Sequence, residues 1–200
     1  MIAKRRKPSF AGSPRELSRE GVLDLVFVPI YGQPCWNLQP GYGCSLTLEF
    51  GKPHLEKRNP RQLTDATIDK HRPYKFGRRV EPRGQWHLWV EGCNWKTTSN
   101  GEWSGASDTK LSMGMAAETL AGQKLTRVSY DRERTCTTFV FDLGGALIAE
   151  PDEFEREHPG DIWHLFEYGG KVLTLRDDGL YSYQPGTTLP EHERYQLLRF

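Results

Sequence analysis

Six histidines, at positions 54, 71, 87, 158, 164 and 192, are the side chains of this 200-residue sequence best suited to bind a metal or move a proton. Imidazole changes charge near neutral pH and ligates metals in its neutral form. None of the six stands at metal-chelating spacing from another. The best pairing is His54 with His87, on neighbouring strands with Glu56 or Glu91 beside them, since adjacent strands bring such groups within about 5 Å. Without a supporting motif these read as partly exposed strand histidines, and no metal site is expected. Asp152, Glu153, Glu155 and Glu157 could supply carboxylates for a metal or for acid–base work, but as a contiguous Pro/Gly-bounded loop they read as solvated surface. Asp177-Asp178-Gly179 is accounted for by a hairpin turn.

Other catalytic patterns are missing. No GxSxG occurs, and Trp103-Ser104-Gly105 lacks the glycine two places before the serine. There is no GxxxxGK[ST] phosphate loop, no GxGxxG turn and no HExxH pair. The expectation is therefore no catalytic residue and no cofactor; a hydrolase or lyase assembled from dispersed residues is the minor alternative, to be tested at His87. Cys35, Cys44, Cys93 and Cys136 form no CxxC pair, and the basic start of the chain is not followed by an apolar signal segment. They read as reduced thiols in a cytoplasmic protein, and no run approaches a membrane span.

Charge gives a second line of argument. The 27 Lys+Arg nearly balance 26 Asp+Glu, and mean hydropathy is −0.67. The balance hides blocks: residues 1–20 carry a net +4, residues 51–90 a net +6 and residues 150–193 a net −8. The basic segments 1–20 and 52–83, with Arg5, Arg6, Lys75, Arg78 and Arg79, are candidates for phosphate neutralisation, and Tyr74, Phe76 and Trp86 for base stacking. A nucleic-acid-associated protein is thus the alternative reading. The near-zero total charge and the absence of a recognised binding module weigh against it.

Trp36, Trp86, Trp89, Trp95 and Trp103 fall within 68 residues. Trp86 and Trp89 are three apart, so on one regular strand they face opposite sides. Either both sheet faces are covered or one indole is open to a partner, where tryptophan is a favoured anchor. Trp36, Tyr42, Trp89, Trp95 and Trp103 are accordingly the candidate partner-binding residues.

The elements that must position these residues are mostly strands. Residues 1–20 read as a flexible basic arm, and 21–200 as a single β-rich domain with a basic excursion at 57–83 that includes a possible short helix around Gln62–Lys70. Val22–Ile30 is apolar and rich in β-branched residues, which predicts a buried strand ended by Pro29. Strands are also predicted at Cys44–Phe50, His54–Glu56 and Gly84–Glu91, with Trp86, Leu88 and Val90 on one face and His87, Trp89 and Glu91 on the other. A hairpin continues into Cys93–Thr98. Met113, Ala116, Ala117, Leu120 and Ala121 form a helical stripe within Asp108–Ala121, with Ser107 as N-cap. Strands then follow at 124–130, 136–142, 146–150, 161–168, 171–176 and 180–183. The class is α+β and β-dominated: antiparallel meander sheets, sandwich or barrel-like, with one helix near 108–121.

The segment from about Thr119 to Tyr183 resembles small uncharacterised bacterial β-rich proteins, some of them of the toxin-immunity type. The residues that carry the likeness are Leu120-Ala121-Gly122-Gln123-Lys124-Leu125, Phe139–Leu147 with its Gly144-Gly145 turn, Trp163-His164-Leu165-Phe166 and Val172–Gly179. It spans about a third of the chain and implies a bacterial, non-catalytic protein that binds another protein, such as a toxin or defence component. It transfers no catalytic residue.

Overall fold

The computed structural model describes residues 21–60, 77–91, 93–99, 102–105, 110–152 and 158–198. The expected arm at 1–20, the short helix around Gln62–Lys70 and the Ser107 cap lie outside them.

The chain begins with a correction. Val22–Phe27 is a helix, α1, and not a strand. Leu23, Phe27 and Ile30 recur at i, i+4 and i+7 and are all buried, while Asp24, Leu25 and Val28 face outward. That periodicity overrides the strand preference of the β-branched residues. Phe27 is fully buried, edge-on to Phe139 and Trp163 with ring centroids 5.9 and 6.1 Å away.

Strands β1 (Cys35–Pro40), β2 (Leu46–Phe50), β3 (His54–Arg58), β4 (Arg79–Arg83), β5 (Trp86–Val90), β6 (Cys93–Ser99) and β7 (Glu102–Gly105) follow. Helix α2 (Lys110–Glu118) comes next, with Met113, Ala116 and Ala117 buried and Leu120 buried in the turn beyond it, close to the predicted stripe. The chain then forms β8 (Leu125–Asp131), β9 (Cys136–Phe141), β10 (Ala146–Pro151), β11 (Asp161–Glu167), β12 (Lys171–Arg176), β13 (Leu180–Pro185) and β14 (Gln196–Leu197). Trp36 stands on strand β1.

These strands make a seven-stranded sheet in the order β1-β2-β5-β11-β12-β13-β14, a five-stranded sheet in the order β7-β6-β10-β9-β8, and a two-stranded ribbon, β3-β4. Every pairing is antiparallel. Among the described residues both large sheets are open-ended, so neither closes into a barrel. Its core is legible row by row. Leu48, Leu88, Leu165 and Leu173 lie directly across from one another on four adjacent strands, and all four are buried. Phe139, Leu147, Ala149, Trp95 and Leu125 belong to the same buried cluster from the five-stranded sheet. Trp163 Nε1 donates to Thr137 Oγ1 at 2.9 Å and joins the two layers by a buried hydrogen bond. Cys35 and Cys136 are free thiols buried in these layers, and Cys44 is half-buried.

Candidate functional site

Strand alternation that sends the leucine row inward sends a different set of side chains to the other face of the seven-stranded sheet. There, Glu49, His87, Phe166 and Val172 form one cross-strand row. Thr47, Trp89, His164, Thr174 and Ser182 form the next. Trp36, opposite Glu49, extends the first row onto β1. Trp89 and Phe166 stack at 6.4 Å with planes 27° apart, and the His87 and His164 rings lie 5.6–5.7 Å from members of that pair.

One end of this face is closed by a polar lock. Glu49 has no solvent exposure, an unusual state for a carboxylate, and it is fully partnered. Its Oε1 accepts from His87 Nδ1 at 2.8 Å and from Arg83 Nη1 at 2.9 Å, and its Oε2 accepts the Gly84 N–H at 2.8 Å. Because an ionised carboxylate only accepts, His87 Nδ1 donates in this contact. Arg83 also reaches Glu56 and Glu81, each at 3.2 Å. Burial pushes the Glu49 carboxyl upward, but the bonds from His87, Gly84 and Arg83 outweigh it and hold the group below the ordinary carboxylate range. Glu56 is likewise lowered: burial opposes it, and Arg58 and Arg83 prevail. The local backbone is specific as well. A Cβ on Gly84 would sit 2.4 Å from Phe50 O, so only glycine allows β4 to turn into β5 this close to β2.

Two hollows share the Trp89–Phe166 ridge. The first, about 440 Å³, is lined by Glu56, Arg58, Arg83, His87 and, where β11 ends, Tyr168, whose ring packs on His54. The second, about 270 Å³, lies toward β12 and β13 and is lined by Glu91, Asp161, His164 and Glu193. His54 and His87 therefore border one cleft, yet among the described residues no group of three His, Cys, Asp or Glu side chains is arranged to hold a metal.

The partner-binding candidates are dispersed. Trp89 is half-buried at the middle of this face. Trp36 is half-buried, its Nε1 donating to Gly51 O at 3.2 Å. Tyr42 is 91% exposed at the β1–β2 turn. Trp95 is 1% exposed and donates to Cys44 O, which makes it a core residue and not a contact for a partner. Trp103 stands on β7 with its side chain outside the described set. Of the basic candidates, Arg78 is exposed and Arg79 lies 3.8 Å from Glu81, while Arg5, Arg6 and Lys75 fall outside the described residues.

Sequence reasoning missed Glu49, Arg83, Phe166, Asp161 and Glu193 as site residues, and treated His164 only as an isolated histidine. A signal existed in the alternation of β2 and β11, which places Glu49, His164 and Phe166 on the outward face of otherwise apolar strands. Comparison with known protein families, curated proteins and solved structures returns no significant match. Among the described residues no helix is long and apolar enough to cross a membrane.

Proposed function

We propose that this chain is a partner-binding protein without catalytic activity of its own, of the toxin-immunity or defence-associated kind, which docks through the open face of its seven-stranded sheet. The observation that carries this reading is the stacked, half-exposed Trp89–Phe166 pair at the centre of that face. Rigid aromatic anchors on strands lose little conformational freedom on binding and dominate interface energetics. The same lining weighs against a phosphate backbone here, because the arginines beside the ridge are already held by Glu49, Glu56 and Glu81.

The test is photo-crosslinking in the source cells, with p-benzoylphenylalanine placed at Phe166 and, as control, at Leu143, which is 74% exposed on the β9–β10 turn. The expected result is one discrete crosslinked protein from position 166, absent from position 143 and lost in a folded Trp89→Ala background. Equal patterns from both positions, or crosslinks to nucleic acid, would overturn the reading.

A further inference from the structure

The second hollow on the open face has a chemistry of its own. Glu91, Asp161 and Glu193 line it, and among the described residues no lysine or arginine does. The imidazole within it is committed: His164 Nε2 lies 2.9 Å from Glu91 Oε1 and 3.7 Å from Asp161 Oδ2, and its Nδ1 lies 2.9 Å from Thr174 Oγ1. Arg176, directly across from Asp161, turns instead to Asp178 and to the ring of Tyr195. Tyr195 in turn donates to Glu193. Burial raises the Asp161 carboxyl above its ordinary range; His164 pulls it down, Glu193 and Glu91 push it further up, and Arg176 lowers it slightly. A second polar feature is independent of the carboxylates. Ser182 is 2% exposed, lines the hollow, and its hydroxyl makes no hydrogen bond among the described residues. The remaining wall is the Trp89–Phe166 pair, whose faces attract cations.

Resting on the docking reading above, we propose that this hollow receives an arginine side chain of the partner protein, with the guanidinium against the Trp89–Phe166 wall and its N–H groups on Asp161, Glu193 and the Ser182 hydroxyl. Charge complementarity selects a cation, since three carboxylates line the hollow with one imidazole, and Arg176 behind it is paired with Asp178. Geometry favours guanidinium over ammonium, because a planar group stacks on an aromatic wall while donating sideways to two carboxylates. A hollow of about 270 Å³ accommodates the head group and its aliphatic stem. The partner is thus a protein whose contact surface is basic at this point.

The experiment titrates the full chain with acetyl-Gly-Arg-Gly-amide, its lysine counterpart and its citrulline counterpart, which keeps the shape of arginine without the charge. Binding is followed by NMR through the Trp89 indole N–H and the His164 ring. Saturable shifts are expected with the arginine peptide, binding about tenfold weaker with lysine, and none with citrulline. Asp161→Asn and Glu193→Gln should each weaken the arginine peptide about tenfold or more, since a charge-assisted contact is lost. Citrulline binding as well as arginine, or full binding by Asp161→Asn, overturns the proposal. Binding that emerges only after Lys4, Arg5, Arg6 and Lys7 are changed to serine would identify the chain's own basic segment as the occupant and also overturn it. A partner crosslinked at position 166 with equal affinity for wild type and Asp161→Asn removes the arginine site while leaving the docking reading intact.

Discussion

His87 Nδ1 lies 2.8 Å from Oε1 of Glu49, a carboxylate with no exposure to solvent, and this contact joins the edge of the candidate site to the body of the sheet. Replacing Glu49 by glutamine keeps the shape but removes the buried counter-charge, leaves Arg83 with only Glu56 and Glu81, and sets an amide NH2 against a buried donor, His87 Nδ1 or the Gly84 N–H. Removing one partner of a buried pair costs several kcal/mol because the other charge stays desolvated. Glu49→Gln should lower unfolding free energy by about 3 kcal/mol, read from urea denaturation at neutral pH. The wild-type pH profile follows from the direction of the shift. The folded-state pKa lies below the unfolded value, so the stabilisation is complete above the ordinary value of 4.5 and is lost as pH falls through the folded value. Glu49→Gln should flatten that acid limb; an unchanged limb would refute the role given to the carboxylate.

Asp161 should behave in the opposite sense. Its folded-state pKa is raised above the ordinary 3.8, so the native state holds the proton more tightly than the unfolded chain does. Stability therefore falls as pH rises from below 3.8 through the folded value, and at neutral pH the ionised group is a burden. Asp161→Asn should raise the thermal midpoint at pH 7 and leave it unchanged well below 3.8. A lower midpoint at pH 7 would show that its contact with His164 outweighs burial and the neighbouring carboxylates. A residue that destabilises the free protein is a frequent mark of a binding surface.

Gly84 and Gly43 separate two reasons for glycine. A Cβ at Gly84 meets backbone atoms at 2.4 and 2.9 Å, whereas Gly43 has a φ of +65° and open space around it. Gly84→Ala should cost about 3 kcal/mol through overpacking against atoms that cannot yield. Gly43→Ala should cost about 1 kcal/mol, the penalty of a left-handed residue. Equal costs, measured side by side in urea, would contradict the close approach of β2 and β5.

Cys35 should be inert in the folded state. It has no solvent exposure, its Sγ donates to Leu120 O at 2.7 Å, and burial pushes its pKa up to about 12. Thiolate is the reactive form. In a variant with Cys44, Cys93 and Cys136 changed to serine, a thiol reagent should label Cys35 only at the rate of unfolding. Rapid labelling of folded protein would mean that this part of the core is open.

How much of this was legible in the sequence depends on the range of the interaction. Period-2 alternation in Gly84–Glu91 correctly put His87, Trp89 and Glu91 on one face, and the stripe Met113, Ala116, Ala117, Leu120 and Ala121 marked a helix but overran its end, since α2 stops at Glu118 and Ala121 is exposed. The strand predicted at Val22–Ile30 failed because composition was weighed over spacing: Leu23, Phe27 and Ile30 already carried the helical period. The site itself was hidden by sheet order. β5 lies between β2 and β11, so Glu49 meets His87 across 38 positions and Glu91 meets His164 across 73. No local pattern encodes such pairings. The basic excursion was legible as charge but not as chemistry, because Arg58, Arg79 and Arg83 find carboxylates within their own ribbon or in β2. Trp95 and Trp89 are alike in the sequence, and only tertiary packing separates a core indole from a half-buried one.

The β3–β4 ribbon continues the chain of β2 and β5 beyond the sheet, and at its root Glu49 clasps both Gly84 and Arg83. One buried carboxylate thus serves three elements at once: its own strand β2, the β4–β5 corner through the Gly84 N–H, and the ribbon through Arg83, so the root of the ribbon and the His87 edge of the aromatic ridge share a single counter-charge.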